Sequence, residues 1–262
     1  MEEMTCRLYK WNKKSKKRKI LFTEIDDFFV TLSLMNIKKI VTIAFAYIGV
    51  LVGAGFASGQ EIMQYFISFG YQGIWGAIIA AVLFAITGLI ILQLGSYYFA
   101  DEHMEVLDRI TQPWVAKLLD FSITFTCFCI GFVMIAGAGS NLHQQFGLPL
   151  WVGAVIMAVL MIVVGMFDVE KVTNVIGAIT PFMILFMVMA SIYAITQTDF
   201  TQLEEIDQVA RTYSSTLPNW WLSSLNYVAM SLMCAVSMAI VMGGVLVDVR
   251  VARYGGLIGG MT

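Results

Sequence analysis

The residues best equipped for chemistry in this chain crowd into VGAGFASGQEIMQYF, Val52 to Phe66, where three glycines, a serine, two glutamines and a glutamate interrupt an otherwise apolar run. Ser58 and Glu61 have the S-x-x-E spacing of a capping box. In that motif the Ser58 hydroxyl accepts the Glu61 backbone N–H, and the Glu61 carboxylate reaches back to the N–H of Ser58. The carboxylate also lies in the first turn of the helix so begun, where the dipole favours negative charge. On a lipid-facing site near a bilayer's centre a charge costs about 2.5 to 3.5 kcal/mol, so Glu61 must face protein or water.

Gly53, Gly55 and Gly59 each cost a helix about 1 kcal/mol relative to alanine. The pairs Gly49/Gly53 and Gly55/Gly59 also carry the four-residue spacing of close helix packing, and an unbroken, glycine-packed helix is the competing reading. Glycines followed by a capping box favour two half-helices, Ile40 to about Val52 and about Gln60 to Phe69, joined by an unwound GAGFAS. In lipid, unpaired peptide groups survive only where protein buries them or a wet cavity meets them, and there they become ligands for ions or small polar solutes. The candidate binding residues are therefore Gly53, Ala54, Gly55, Phe56, Ser58 and Glu61. A weaker polar interruption, Tyr227, Ser231 and Ser237, precedes a glycine pair, Gly243 and Gly244, in a later span. The fragment GAGFASG is no dinucleotide-binding loop: its third glycine is replaced by serine, and no strand precedes it.

The elements that must hold these residues are membrane helices. The 262 residues are 59% hydrophobic and 13% charged, with a mean hydropathy of +0.79, and apolar runs of about 20 residues recur. Six spans are expected, at 40–69, 73–99, 115–146, 150–167, 172–196 and 219–247, with a seventh beginning before the sequence stops at Thr262. The first, at about 45 Å if continuous, is too long for a hydrocarbon core of about 30 Å without a break; the third, at about 48 Å, reads as one long tilted helix. Pro181 is expected to kink the fifth, with Asn174 and Thr180 facing the bundle. The small-residue run IAGAG before Ser140 is expected to pack on the first helix.

Ten of the sixteen Lys and Arg residues precede Ile40, six of them between Lys13 and Lys19. Such a cluster is read as a cytoplasmic flank touching anionic lipid, not as a nucleic-acid site. The expected inner loops hold Arg109, Lys117, Lys171, Arg250 and Arg253, against Arg211 alone in the outer ones, which places the N-terminus inside. Residues 1–36 read as a basic extension, with Met35 a plausible natural start. Asp120 falls near the inner end of the third span, as a wetted helix end or a gate group. The polar connection between the fifth and sixth spans reads as a solvated outer loop. The four cysteines form no framework, and Cys127 and Cys129 point to nearly opposite sides of a helix, against a metal site. No H-E-x-x-H occurs and His103 and His143 are far apart in sequence, so an enzyme is not expected.

GVLVGAGFASGQEIMQYF and the distal NYVAMSLMCAVSMAIVMGGVLVDVRVARYGGLIGG resemble the YkvI-type family of bacterial integral membrane proteins, from about Asn36 to the C-terminus. That family is similar to the amino acid-polyamine-organocation transporters with the LeuT-like fold. The resemblance implies an all-α polytopic bundle made of the first inverted repeat plus the sixth helix. The first and sixth helices would be interrupted at mid-membrane, Gly53 to Ser58 forming the unwound part of the first and Tyr227 to Ser237 containing that of the sixth. It further implies a secondary transporter, or a truncated portion of one, for a small polar solute such as an amino acid, with Na+ or H+ coupling and no organic cofactor. The partners so implied are the bilayer, the solute, and a missing C-terminal half or a second copy of the chain. The rival reading is a non-transporting packing or regulatory subunit.

Overall fold

The computed structural model describes residues 37–52, 59–197, 203–213, 215, 217–246 and 248–262, and among them every regular element is helical. Everything below concerns the unit from Lys38 to Thr262, whose first helix opens at the adjoining Ile37. Its helices are α1 (Ile37–Leu51), α2 (Gln60–Tyr65) with a 3-10 turn (Ile67–Phe69), α3 (Tyr71–Tyr98) and α4 (His103–Ile110). They continue with α5 (Pro113–Phe146), α6 (Leu150–Gly165), α7 (Val169–Gln197), α8 (Leu203–Ala210), α9 (Trp220–Val245) and α10 (Val249–Met261).

Four of these, α3, α5, α7 and α9, are long and apolar enough to cross a membrane. With 16 residues, α6 measures only about 24 Å. Phe121, Ile162 and Phe182 are each about two-thirds exposed, at 68%, 67% and 66%, on α5, α6 and α7. So much contiguous apolar surface is unworkable in water and ordinary in a bilayer, where lipid tails are its solvent. The chain is an all-α polytopic membrane bundle, as its composition requires.

Lipid removes most of the hydrophobic drive for helix association, so the bundle is held by close fit between small residues. The core gathers Tyr47 of α1, Leu92 of α3, Ala239 and Met242 of α9, and Ala252 of α10. On α10, Gly256 and Gly260 lie against the Gly88 and Phe84 carbonyls of α3, while Gly255 and Gly259 lie against Ile43 and Ala44 of α1. One short helix thereby wedges between two others. Ser96, fully buried on α3, donates to the Leu246 carbonyl just past α9 at 2.8 Å, which satisfies a helix-end acceptor.

Several expectations need correction. The sixth span, α9, runs as a continuous helix from Trp220 to Val245 and has no unwound centre between Tyr227 and Ser237. The reason is visible in the residues: neither glycine nor proline occurs between Trp220 and Met242, and serines in a buried helix can pair with neighbouring carbonyls. The IAGAG run was expected against the first helix; among the described residues Gly139 instead packs on the Leu150 carbonyl and Gly153 on that of Ala138, so this run closes the α5/α6 hairpin. On α7, Thr173, Gly177 and Thr180 form the buried stripe while Asn174 is exposed. Two short amphipathic helices were not expected: α8 in the outer connection and α4 between α3 and α5.

Candidate functional site

The opening apolar segment is not one rod. α1 stops at Leu51, where the Val52 N–H still reaches the Ile48 carbonyl at 2.9 Å, and α2 begins only at Gln60. Immediately before it Gly59 has φ 77° and ψ −5°, a left-handed conformation that no residue inside an α-helix adopts. Gly53, Ala54, Gly55, Phe56 and Ser58, the intervening candidates, lie outside the described residues.

The start of α2 differs from a capping box in register. Gly59 is the N-cap and carries no side chain to cap with; its carbonyl accepts the Met63 N–H at 3.0 Å. Glu61 then sits at the second position of the helix, not the third. It remains in the first turn, where the dipole supports a carboxylate without the reciprocal serine bond.

α2 packs on α9. The Ser223 hydroxyl of α9 donates to the Tyr65 carbonyl at 2.9 Å, taking up an acceptor near the end of α2. The Tyr65 hydroxyl points to the Met230 sulfur at 3.8 Å. The Tyr227 ring lies 5.4 Å from Tyr65, 5.2 Å from Phe66 and 6.0 Å from Phe84, the last two contacts edge-on. Such tilted and T-shaped pairs fix a ring's position, each being worth about 0.5–1.5 kcal/mol beyond burial. Tyr227 and Ser231 are one turn apart on α9 and are 5% and 8% exposed.

Glu61 precedes Tyr65 by one turn on the same face of α2, half-buried, and among the described residues it has no hydrogen-bond or ion-pair partner shown. The structure thus brings Glu61, Tyr227 and Ser231 to the α2/α9 contact. Ser237 is elsewhere: its hydroxyl meets His103 Nδ1 of α4 at 3.0 Å. Tyr65 and Ser223 belong to the contact, yet nothing in the sequence marks them, because one contributes a backbone carbonyl and the other is one serine among several.

Against known proteins, the chain is 26% identical over 218 residues to the uncharacterized membrane protein YkvI of Bacillus subtilis, covering 83% of the chain and 61% of that protein. It is 30% identical over 145 residues to the uncharacterized protein YyaD of the same organism, covering 55% of the chain and 42% of that protein. The chain therefore spans less than two-thirds of the length of either relative. No protein-family model and no solved structure matches it. The likeness to the YkvI-type membrane proteins read from the two motifs is borne out by this homology.

Proposed function

Taking the chain as a homologue of the YkvI-type membrane proteins, we propose that it is a secondary transporter, or a portion of one, that moves a small polar solute such as an amino acid with a coupling Na+ or H+. In this reading it lies in a bacterial cytoplasmic membrane with its N-terminus inside, catalyses no covalent chemistry and binds no nucleic acid. The observation that carries it is the left-handed Gly59 immediately before α2, which no continuous helix could contain, with a half-buried carboxylate, Glu61, two residues past it. A span broken at membrane depth presents peptide dipoles and a helix N-terminus to a cavity, the arrangement by which transporters hold polar cargo and ions. Tyr227 and Ser231 supply hydroxyls from the facing helix. Glu61 supplies a negative charge to a cationic group or a proton.

The test is uptake. Vesicles from cells expressing the protein, given a mixture of radiolabelled amino acids under an imposed sodium or proton gradient, should accumulate label above vesicles lacking it. Loss of a charge-assisted contact worth about 1.5 kcal/mol should lower that uptake about tenfold in Glu61→Gln. Uptake equal to the control under both gradients would overturn the proposal.

A further inference from the structure

At the other end of α9 from Tyr227 three segments meet on one imidazole. His103, the first residue of α4, places Nε2 2.9 Å from Asp120 Oδ1 on α5 and Nδ1 3.0 Å from Ser237 Oγ on α9. The histidine side chain is 21% exposed and that of Asp120 40%. Packing around the cluster is apolar: Val106 and Ile240 are buried with Ala100, and Leu107 with Ala116 and Ile123.

Hydrogen-bond bookkeeping fixes what each nitrogen carries. A carboxylate only accepts, so the proton of a neutral His103 belongs on Nε2, and Nδ1 must accept the Ser237 hydroxyl. Adding a second proton makes Nδ1 a donor, and Ser237 Oγ must then accept. A helical serine can do so by turning its own hydroxyl to the carbonyl one turn back, as Ser68, Ser122 and Ser191 do in this chain. Both charge states are thus fully bonded after one hydroxyl rotation. In the protonated state the contact with Asp120 becomes a charge-assisted ion pair, shorter and stronger than its neutral counterpart.

The neighbouring helices add few charges to that pair, and the nearest in sequence, Asp101 and Glu102, directly precede His103 and are exposed. α3 and α9 carry no Asp, Glu, Lys, Arg or His, and their titratable groups at this end are Tyr97 and Tyr98 on α3 and Cys234 on α9. On α5 the next charge is Lys117, one turn before Asp120, and on α4 itself Arg109 lies over the Tyr98 ring at 5.4 Å, with Glu105 and Asp108 exposed.

We propose that His103 is a proton-binding site that clasps α4 to the ends of α5 and α9, so that acidification of the compartment facing this end tightens the three-segment junction. Histidine is the side chain whose charge ordinarily changes between about pH 5 and 8. The clasp stands whether or not the chain carries a solute, and it makes proton concentration a signal to the helix that also bears Tyr227 and Ser231.

The chain has two histidines, so 15N-histidine labelling of the purified protein in nanodiscs, with His143→Gln for assignment, isolates His103. The neutral form is expected as the Nε2–H tautomer, converting to imidazolium as pH falls. In parallel, melting is compared at about pH 5.5 and about pH 8 for wild type and Asp120→Asn. The wild type should exceed the variant by more at the acid pH, and Ser237→Ala, which keeps the Asp120 partner, should retain most of that pH dependence. An Nδ1–H tautomer, or an Asp120→Asn deficit equal at both pH values, overturns the proposal.

Discussion

Residue by residue, the polar side chains of this bundle tie together segments distant in sequence. Asp207 is the clearest case. Its Oδ1 accepts the Tyr71 N–H at 2.8 Å, and its Oδ2 accepts from Arg211 Nε at 2.8 Å. A carboxylate on α8 thus caps the first turn of α3, whose own N-cap, Gly70, has no side chain to do so. The Arg211 hydrogen bond, with the Tyr71 N–H second, holds the Asp207 carboxyl below the usual carboxylate range. The sign follows: a depressed folded value means the ionised form is favoured by folding, so the contribution is present above the unfolded aspartate value of about 3.9 and disappears as pH falls through the folded one. Asp207→Ala should therefore melt below the wild type at pH 7, with the gap closing in acid below about pH 4; a gap that persists there would mean the aspartate acts by packing alone.

For the elements, the decisive feature is the left-handed turn at Gly59. A Cβ at this position would meet no atom within 4 Å, so substitution tests backbone conformation without steric confusion. Alanine at a left-handed position should destabilise the protein by about 1–2 kcal/mol, and asparagine, which tolerates that conformation, by less. In an unbroken helix the same Gly59→Ala change would stabilise by about 1 kcal/mol, so denaturation of the two variants separates the readings by sign. This break was legible in sequence because glycines and the S-x-x-E spacing act locally, although the cap itself fell one residue later than the motif suggests. The continuity of α9 was legible too, in its lack of Gly and Pro before Met242, but the implied likeness to a broken sixth helix outweighed it. The His103, Asp120 and Ser237 cluster was not legible: its members are 17 and 134 residues apart, and only the packing of α4 joins them. Local patterns specify helices and breaks, whereas the partners of single polar residues depend on which helix faces meet.

Taken as a whole, the molecule places α4 and α8 at opposite ends of α3. α8 touches the start of α3 through Asp207, while α4 follows that helix's far end at Tyr98. Between them α3 has 28 residues, about 42 Å of helix against a hydrocarbon core of about 30 Å. Both short helices carry charge, Glu105, Asp108 and Arg109 on α4 and Glu204 and Asp207 on α8, which suits each to an aqueous surface. Asp108 and Gln208 are exposed, so a single cysteine placed at either, in a protein otherwise free of cysteine, should react with an impermeant maleimide from one side only. In the proposed orientation, with the basic N-terminal flank inside, Gln208→Cys should label in intact cells and Asp108→Cys only after permeabilisation. The reverse pattern would invert the assigned orientation, and labelling of both in intact cells would mean that α3 does not cross the bilayer.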